Sequence, residues 1–253
     1  CKMINTILAF DTNIWIYMVE ERFYQLFKEL KEQKNKGFVD IIVSDIVKKE
    51  WSRNKDSVRK KVVDEIKTEY RHTKQLSEFI QDSHARNAFL ELIAFCKDEE
   101  ARCQAVENRI SEIELFMNEC TEITVNEQQI LYVAQLAIDN QPPMHNKKNN
   151  FNDALILRNY YQYVEDKVRK EGSAVPSKYD FIYFSNNPKD FVDPQTGEVY
   201  KTIIQIQPSV RTYFSKDIAD FARVLELSSD LIDDFDDWIQ SQIEWEVEVA
   251  MGR

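Results

Sequence analysis

An α/β fold with a central parallel sheet is the architecture this sequence predicts, and three observations predict it. Short apolar runs with a β-branched bias alternate with stretches of helical periodicity. No hairpin signal joins two of those runs, so their connections must be crossovers, which leave neighbouring strands parallel. Glycine occurs only four times in 253 residues, too seldom for a turn-rich all-β fold.

Ile4 to Phe10 is the first apolar run, and Asp11-Thr12-Asn13 ends it with residues that suit a helix cap. A helix is expected from about Tyr17 to Lys36, with Phe23, Leu26, Phe27 and Leu30 on one face and Gly37 as its stop. Val39 to Val43 is the second strand, after which Ser44 or Asp45 caps the next helix. From Lys48 to Cys120 there is neither proline nor glycine. Val58, Val62, Ile66 and Tyr70 recur every four residues there, and Cys103, Val106, Ile110, Ile113, Met117 and Cys120 alternate three and four apart. That pattern predicts two or three long helices packed on one another.

Asn126 to Asp139 reads as a further helix, and Asn140 to Asn150, with Pro142 and Pro143, as a loop. Asn152 or Asp153 opens a helix running to about Lys170. Tyr179 to Phe184 is the third strand candidate and Thr202 to Ile206 the fourth. The tail from Glu226 to Gly252 holds nine acids and no base, so it accounts for most of a net charge of −11. Leu231, Ile232, Phe235, Trp238, Ile239 and Ile243 are interleaved with those acids, as in an amphipathic acidic helix packed on the domain. A sharper reading makes the tail a mimic of nucleic acid that covers a basic rim or docks on a basic partner.

Composition excludes several functions. Gly37, Gly172, Gly197 and Gly252 are too dispersed for a P-loop or a GxGxxG dinucleotide fingerprint. Cys1, Cys96, Cys103 and Cys120 lack CxxC spacing and are expected to be buried or idle thiols of a reducing compartment. His72, His84 and His145 stand alone, with no GxSxG or Cys-His signal for a nucleophilic hydrolase. No apolar run reaches the ~18 residues of a membrane span and no basic-then-apolar leader opens the chain, so a cytoplasmic protein is expected.

Four acids sit where strands end or helices begin. Asp11 closes the first strand in FDTNIW, Glu50 lies in the early turns after the second in DIVKKEW, Asp153 starts a helix in NFNDALIL, and Asp190 follows the third strand in FSNNPKDF. In an open parallel sheet, positions just past the carboxyl ends of the strands converge on one crevice. Clustered carboxylates raise one another's pKa unless a cation neutralises them, and a divalent oxygen-seeking ion is the usual solution. Each acid alone reads more readily as a helix cap or a solvated residue than as a ligand; order and context join them.

FDTNIW, VSDIVKKEW, FNDALIL and FSNNPKDF together resemble the segments of the PIN-like domain nucleases, in particular larger members with a helical insertion between the second and third acids. The resemblance implies a three-layer PIN-like domain spanning residues 1–253, with a helical insertion over about 54–120 and a C-terminal acidic helix over about 226–253. It also implies that Asp11, Glu50 and Asp153 coordinate Mg²⁺ or Mn²⁺, that Asp190 joins them as a catalytic acid, and that Asn13, Ser185 and Asn187 support the site. The implied activity is hydrolysis of phosphodiester bonds, as an endoribonuclease on single-stranded RNA, with single-stranded DNA second and a role as a toxin or defence effector held by a protein partner or inhibitor. Many members carry an acid where this chain has Asn187, which favours one bound ion over two.

The stretch from Lys48 to Lys74 holds ten Lys or Arg against five acids, and it begins beside Glu50. Arg53, Lys60 and Lys61, with Lys147, Lys148 and Arg158 flanking Asp153, are the candidate contacts for a nucleic-acid backbone, and Trp51 or Tyr160 the candidate stacking surfaces. The competing reading of the whole chain is a PIN-like scaffold or partner-binding module with an eroded site.

Overall fold

The structure, a computed structural model, describes residues 6–144, 150–170, 179–185, 192, 193, 200, 202 and 210–215. The chain starts with β1 (Thr6–Phe10), α1 (Thr12–Tyr17), α2 (Glu21–Asn35) and β2 (Val39–Ser44). The predicted helix from Tyr17 to Lys36 is α2, beginning four residues later than expected, and the short α1 between β1 and α2 is an element the sequence reading does not contain. Leu26, Phe27 and Leu30 of α2 are buried as their spacing requires. At its end Gly37 has φ 71°, Gly37 N–H donates to Lys34 O and Phe38 N–H to Gln33 O. This pair of bonds closes the helix through a left-handed residue, the conformation in which glycine is least strained.

α3 (Asp45–Leu76) follows β2 without a loop. Ser44 caps it, its hydroxyl accepting from Ile46 N–H at 3.4 Å. A 3₁₀ turn (Ser77–Phe79), α4 (Ser83–Leu92), a second 3₁₀ turn (Ala94–Lys97) and α5 (Glu99–Glu119) complete the helical stretch. α3 and α5 are the two long helices; Val58 and Val62 of the one and Val106, Ile110, Ile113 and Met117 of the other enter the main core cluster. Lys55 pairs with Glu114 at 2.9 Å and Arg59 with Glu107 at 2.6 Å across them.

β3 (Thr121–Ile123), α6 (Glu127–Ile138), α7 (Phe151–Lys170), β4 (Tyr179–Phe184) and β5 (Val210–Ser215) finish the fold. The sheet runs β3-β2-β1-β4-β5, and every pairing is parallel. β3 escapes a reading of the sequence because three residues carry no periodicity. Of the fourth strand candidate only Thr202 is described, in a turn; the strand beside β4 lies later, at Val210–Ser215. The acidic tail lies outside the described residues.

β1 is the middle strand, its Ile7, Leu8, Ala9 and Phe10 buried, as expected of a parallel strand covered on both faces. Around its end Phe10 stacks on Phe184 and meets Trp15 edge-on, and Trp15 reaches Phe116 of α5. Cys96, Cys103 and Cys120 are free thiols, and burial pushes the Cys120 thiol up to about 12. Among the described residues no helix is long and apolar enough to cross a membrane.

Candidate active site

Strand order determines where the acids meet. The chain builds β2 and β3 on one side of β1 and then β4 and β5 on the other, so the crevice at the carboxyl ends of β1 and β4 is the switch point of the sheet. Phe10 is in register with Phe184, and Asp11 N–H donates to Phe184 O at 2.9 Å. Asp11 and Ser185 therefore follow their strands side by side. The Ser185 hydroxyl donates to Asp11 Oδ2 at 2.9 Å, in a buried pair.

Glu50 arrives from the other side. Because α3 starts at the last residue of β2, its second turn stands over the same crevice. Thr12 Oγ1 donates to Glu50 Oε2 at 2.6 Å and Asn152 Nδ2 to Glu50 Oε1 at 3.0 Å. One carboxylate thus ties together the first turns of α1 and α7. Asp153 follows Asn152 in the first turn of α7 and is partly exposed. Asp11 and Asp153 both act on the buried Tyr183 phenol, which burial first and then these charges hold well above its ordinary range.

Burial raises the Asp11 carboxyl pKa; Ser185 and the backbone N–H groups of Thr12 and Asn13 oppose the rise, and the Glu50 charge adds to it. Asp11 is 7% exposed. A buried carboxylate with a second acid beside it and a third close by calls for a cation. The donors are all oxygen, which suits Mg²⁺ or Mn²⁺ rather than a soft metal. The three acids have not closed into a ligand sphere: among the described residues no three His, Cys, Asp or Glu side chains are grouped to hold an ion. Both Glu50 oxygens are instead held by neutral donors, bonds that a cation would compete for.

Beneath the acids lies Tyr160, fully buried. Ser44 N–H donates to its hydroxyl at 3.3 Å and the hydroxyl donates to Phe10 O at 3.2 Å. It spans the ends of β2 and β1, the two strands that deliver Glu50 and Asp11. Tyr160 is therefore no stacking surface, because packing against Tyr183 at 5.8 Å encloses its ring. Trp51, 2% exposed, is likewise taken up by the core, its indole N–H bound to Glu114 at 3.0 Å. Arg158 is a further correction to the basic rim. It is 7% exposed, paired with Glu165 at 3.3 Å, bonded to Gln162 and set over the Tyr132 ring, which leaves it no face for a phosphate.

Arg53 and Lys60 are exposed on α3, and Lys61 reaches Glu20 at 3.0 Å. Asn13 is exposed in the first turn of α1. Lys147, Lys148, Asn187 and Asp190 lie outside the described residues. Sequence reasoning passes over Thr12, Asn152, Tyr160 as a brace, and Tyr183. Two of these have a signal, since Thr12 and Asn152 stand next to Asp11 and Asp153 within the segments that identify the acids.

A family model described as a PIN domain matches residues 8–191. Among solved structures the chain is similar to VapBC2 from Rickettsia felis bound to a DNA fragment from their promoter, at 13% identity and a TM-score of 0.33, covering 82% of this chain and 98% of that one. At that score the likeness is too loose to bear on function. No curated protein matches the chain.

Proposed function

The chain belongs to the PIN domain family, whose members are divalent-metal-dependent nucleases, and on that premise we propose that it hydrolyses RNA at the crevice between β1 and β4. The observation that carries the reading is the convergence of Asp11, Glu50 and the first turn of α7, bearing Asp153, on the switch point of the sheet. Asp11, Glu50 and Asp153 would hold the ion, Mg²⁺ or Mn²⁺. When bound, such an ion supplies Lewis acidity toward a scissile phosphate and lowers the pKa of an attacking water.

The protein's own groups prepare the site. Ser185 orients Asp11 by donating to one of its oxygens, and the enclosed setting keeps bulk water from solvating that carboxylate. Thr12 and Asn152 hold Glu50 over the crevice, where its oxygens would join those of Asp11 and Asp153 around an ion. Asn13 supports the entrance, Asp190 is the fourth acid, and Asn187 in place of an acid favours one ion over two. Arg53 and Lys60 of α3, with Lys147 and Lys148, contact the substrate backbone, while Lys61 is taken up by Glu20. The substrate is single-stranded RNA cut internally, with single-stranded DNA second, and a toxin or defence role would place a protein inhibitor over the same crevice.

One observation favours the competing scaffold reading: among the described residues the acids are not grouped as a ready ligand sphere. Cleavage of labelled single-stranded RNA and DNA in Mn²⁺, Mg²⁺ and EDTA separates the two readings. We expect metal-dependent cutting of RNA, reduced at least about a hundredfold in Asp11→Asn and Asp153→Asn, the scale of losing a group that stabilises a transition state. No cutting, together with no Mn²⁺ binding by calorimetry, overturns the nuclease in favour of the scaffold.

A further inference from the structure

Apart from Lys49, which pairs with Asp45 at 2.7 Å within the helix itself, the cations of α3 fall into two sets. Lys48, Lys55, Arg59 and Lys61 turn toward the rest of the molecule and pair with Glu122, Glu114, Glu107 and Glu20. Arg53, Lys60, Lys67 and Lys74 are exposed, and none has an ion-pair partner among the described residues. These four recur every seven residues. A helix drifts only ~20° per heptad, so they form a single stripe on the face opposite Val58 and Val62. Arg71, four residues after Lys67, joins the same face.

The stripe starts one turn beyond Glu50 and runs for about 32 Å at the ~1.5 Å rise of a helix. Two acids border it, Asp56, which Arg59 holds at 2.8 Å, and Asp64. Ser57, Thr68 and Gln75 fill the positions between, and Tyr70, beside Lys67 and Lys74, is half-buried in a cleft with Ile66 and Val106, so the face offers neither a free aromatic ring for bases nor an apolar surface for a lipid interior. A one-residue-wide line of unneutralised cations on a chain of net charge −11 is complementary to a linear polyanion, read through its phosphates alone.

We propose that the Arg53–Lys60–Lys67–Lys74 face of α3 is a track for the sugar–phosphate backbone of single-stranded RNA, leading the strand along the helix to the Glu50 end. The proposal rests on the nuclease reading and adds to it that substrates are gripped several nucleotides away from the cut, without regard to sequence. The inward set, Lys61 included, takes no part.

The test is fluorescence anisotropy of labelled oligouridylates of about 6 and about 20 nucleotides, in EDTA, across a salt titration. The longer strand should bind more tightly, and Lys67→Ala/Lys74→Ala should lower its log–log salt slope by about 1.4, at ~0.7 for each phosphate of a single strand that is no longer neutralised. Lys31→Ala/Lys36→Ala on α2 removes as much charge from paired lysines and should keep the wild-type slope. Equal slopes for the two double variants overturn the track, as does binding to phosphatidylserine-rich vesicles with none to RNA. If the wild type cuts the short strand in Mn²⁺ while the slopes are equal, the track fails and the nuclease stands. If the slope falls as expected but no strand is cut, the nuclease reading fails and the track stands.

Discussion

Asp11 is a carboxylate placed where its charge is costly. Burial raises its pKa in the folded state, so the neutral form is favoured there, and the stability that form contributes is present at low pH and lost as pH rises through the folded value. At neutral pH without metal, Asp11→Asn should therefore unfold at a higher temperature than the wild type. Adding Mn²⁺ should raise the wild-type midpoint and leave that of the variant unmoved, since only an ion that binds the native state stabilises it. Thermal melts in EDTA and in Mn²⁺ check both, and a lower midpoint for the variant in EDTA refutes the cost assigned to Asp11. Tyr160 works in the opposite sense. Its hydroxyl satisfies Ser44 N–H and Phe10 O in a dry setting, so Tyr160→Phe should cost about 1–3 kcal/mol in urea unfolding. Its Mn²⁺ affinity should also fall, because the ends of β1 and β2 are no longer tied. Tyr24→Phe, which removes a tyrosine hydrogen bond to Glu112 of α5, should leave Mn²⁺ affinity unchanged.

Among the elements, α3 does two jobs because its length exceeds what the sheet needs. Its first turns deliver Glu50, and the remainder packs on α5 through Val58, Val62 and the Lys55 and Arg59 pairs. α4 is different in kind, for it contains no buried residue, and Phe79 beside it is 82% exposed. Sparse burial means low local stability. Amides of Ser83–Leu92 should exchange far faster than those of α5, as native-state hydrogen exchange followed by mass spectrometry would record; protection equal to that of α5 would contradict this account. The periodicity that reveals α3 and α5 is the direct imprint of this packing. Sequence alone passes over α1, because its six residues, with Ile14, Trp15 and Ile16 in an unbroken apolar run, are too few to show a helical period.

Over the molecule as a whole, charge is unevenly distributed. Nine acids in the tail dominate a net charge of −11, while α3 carries an exposed cationic stripe. Long-range repulsion from the tail should slow RNA association at low ionic strength and fade once the Debye length shrinks to a few ångströms. Replacing Asp233, Asp234, Asp236 and Asp237 with Asn should raise the association rate in stopped-flow measurements at low salt and leave it unchanged near ~1 M, where screening is nearly complete. An equal acceleration at both salts would mean that the tail acts by contact rather than by field.

The α/β class, the parallel sheet, the two long helices and the order of the acids are legible in the sequence, because each is written in local periodicity or in a short contiguous segment. FDTNIW and FNDALIL even contain Thr12 and Asn152, although nothing local marks a threonine or an asparagine as the partner of a distant glutamate. Which polar residues face inward is settled only in three dimensions. Arg158, Trp51 and Tyr160 have the chemistry of nucleic-acid contacts, and packing assigns them to Glu165, Glu114 and the ends of two strands. Likewise the cations of α3 are equivalent in sequence and divide only when α5, β3 and Glu20 supply carboxylates to some of them. Pairing and burial depend on neighbours remote in the chain, and the fold is what brings those neighbours together.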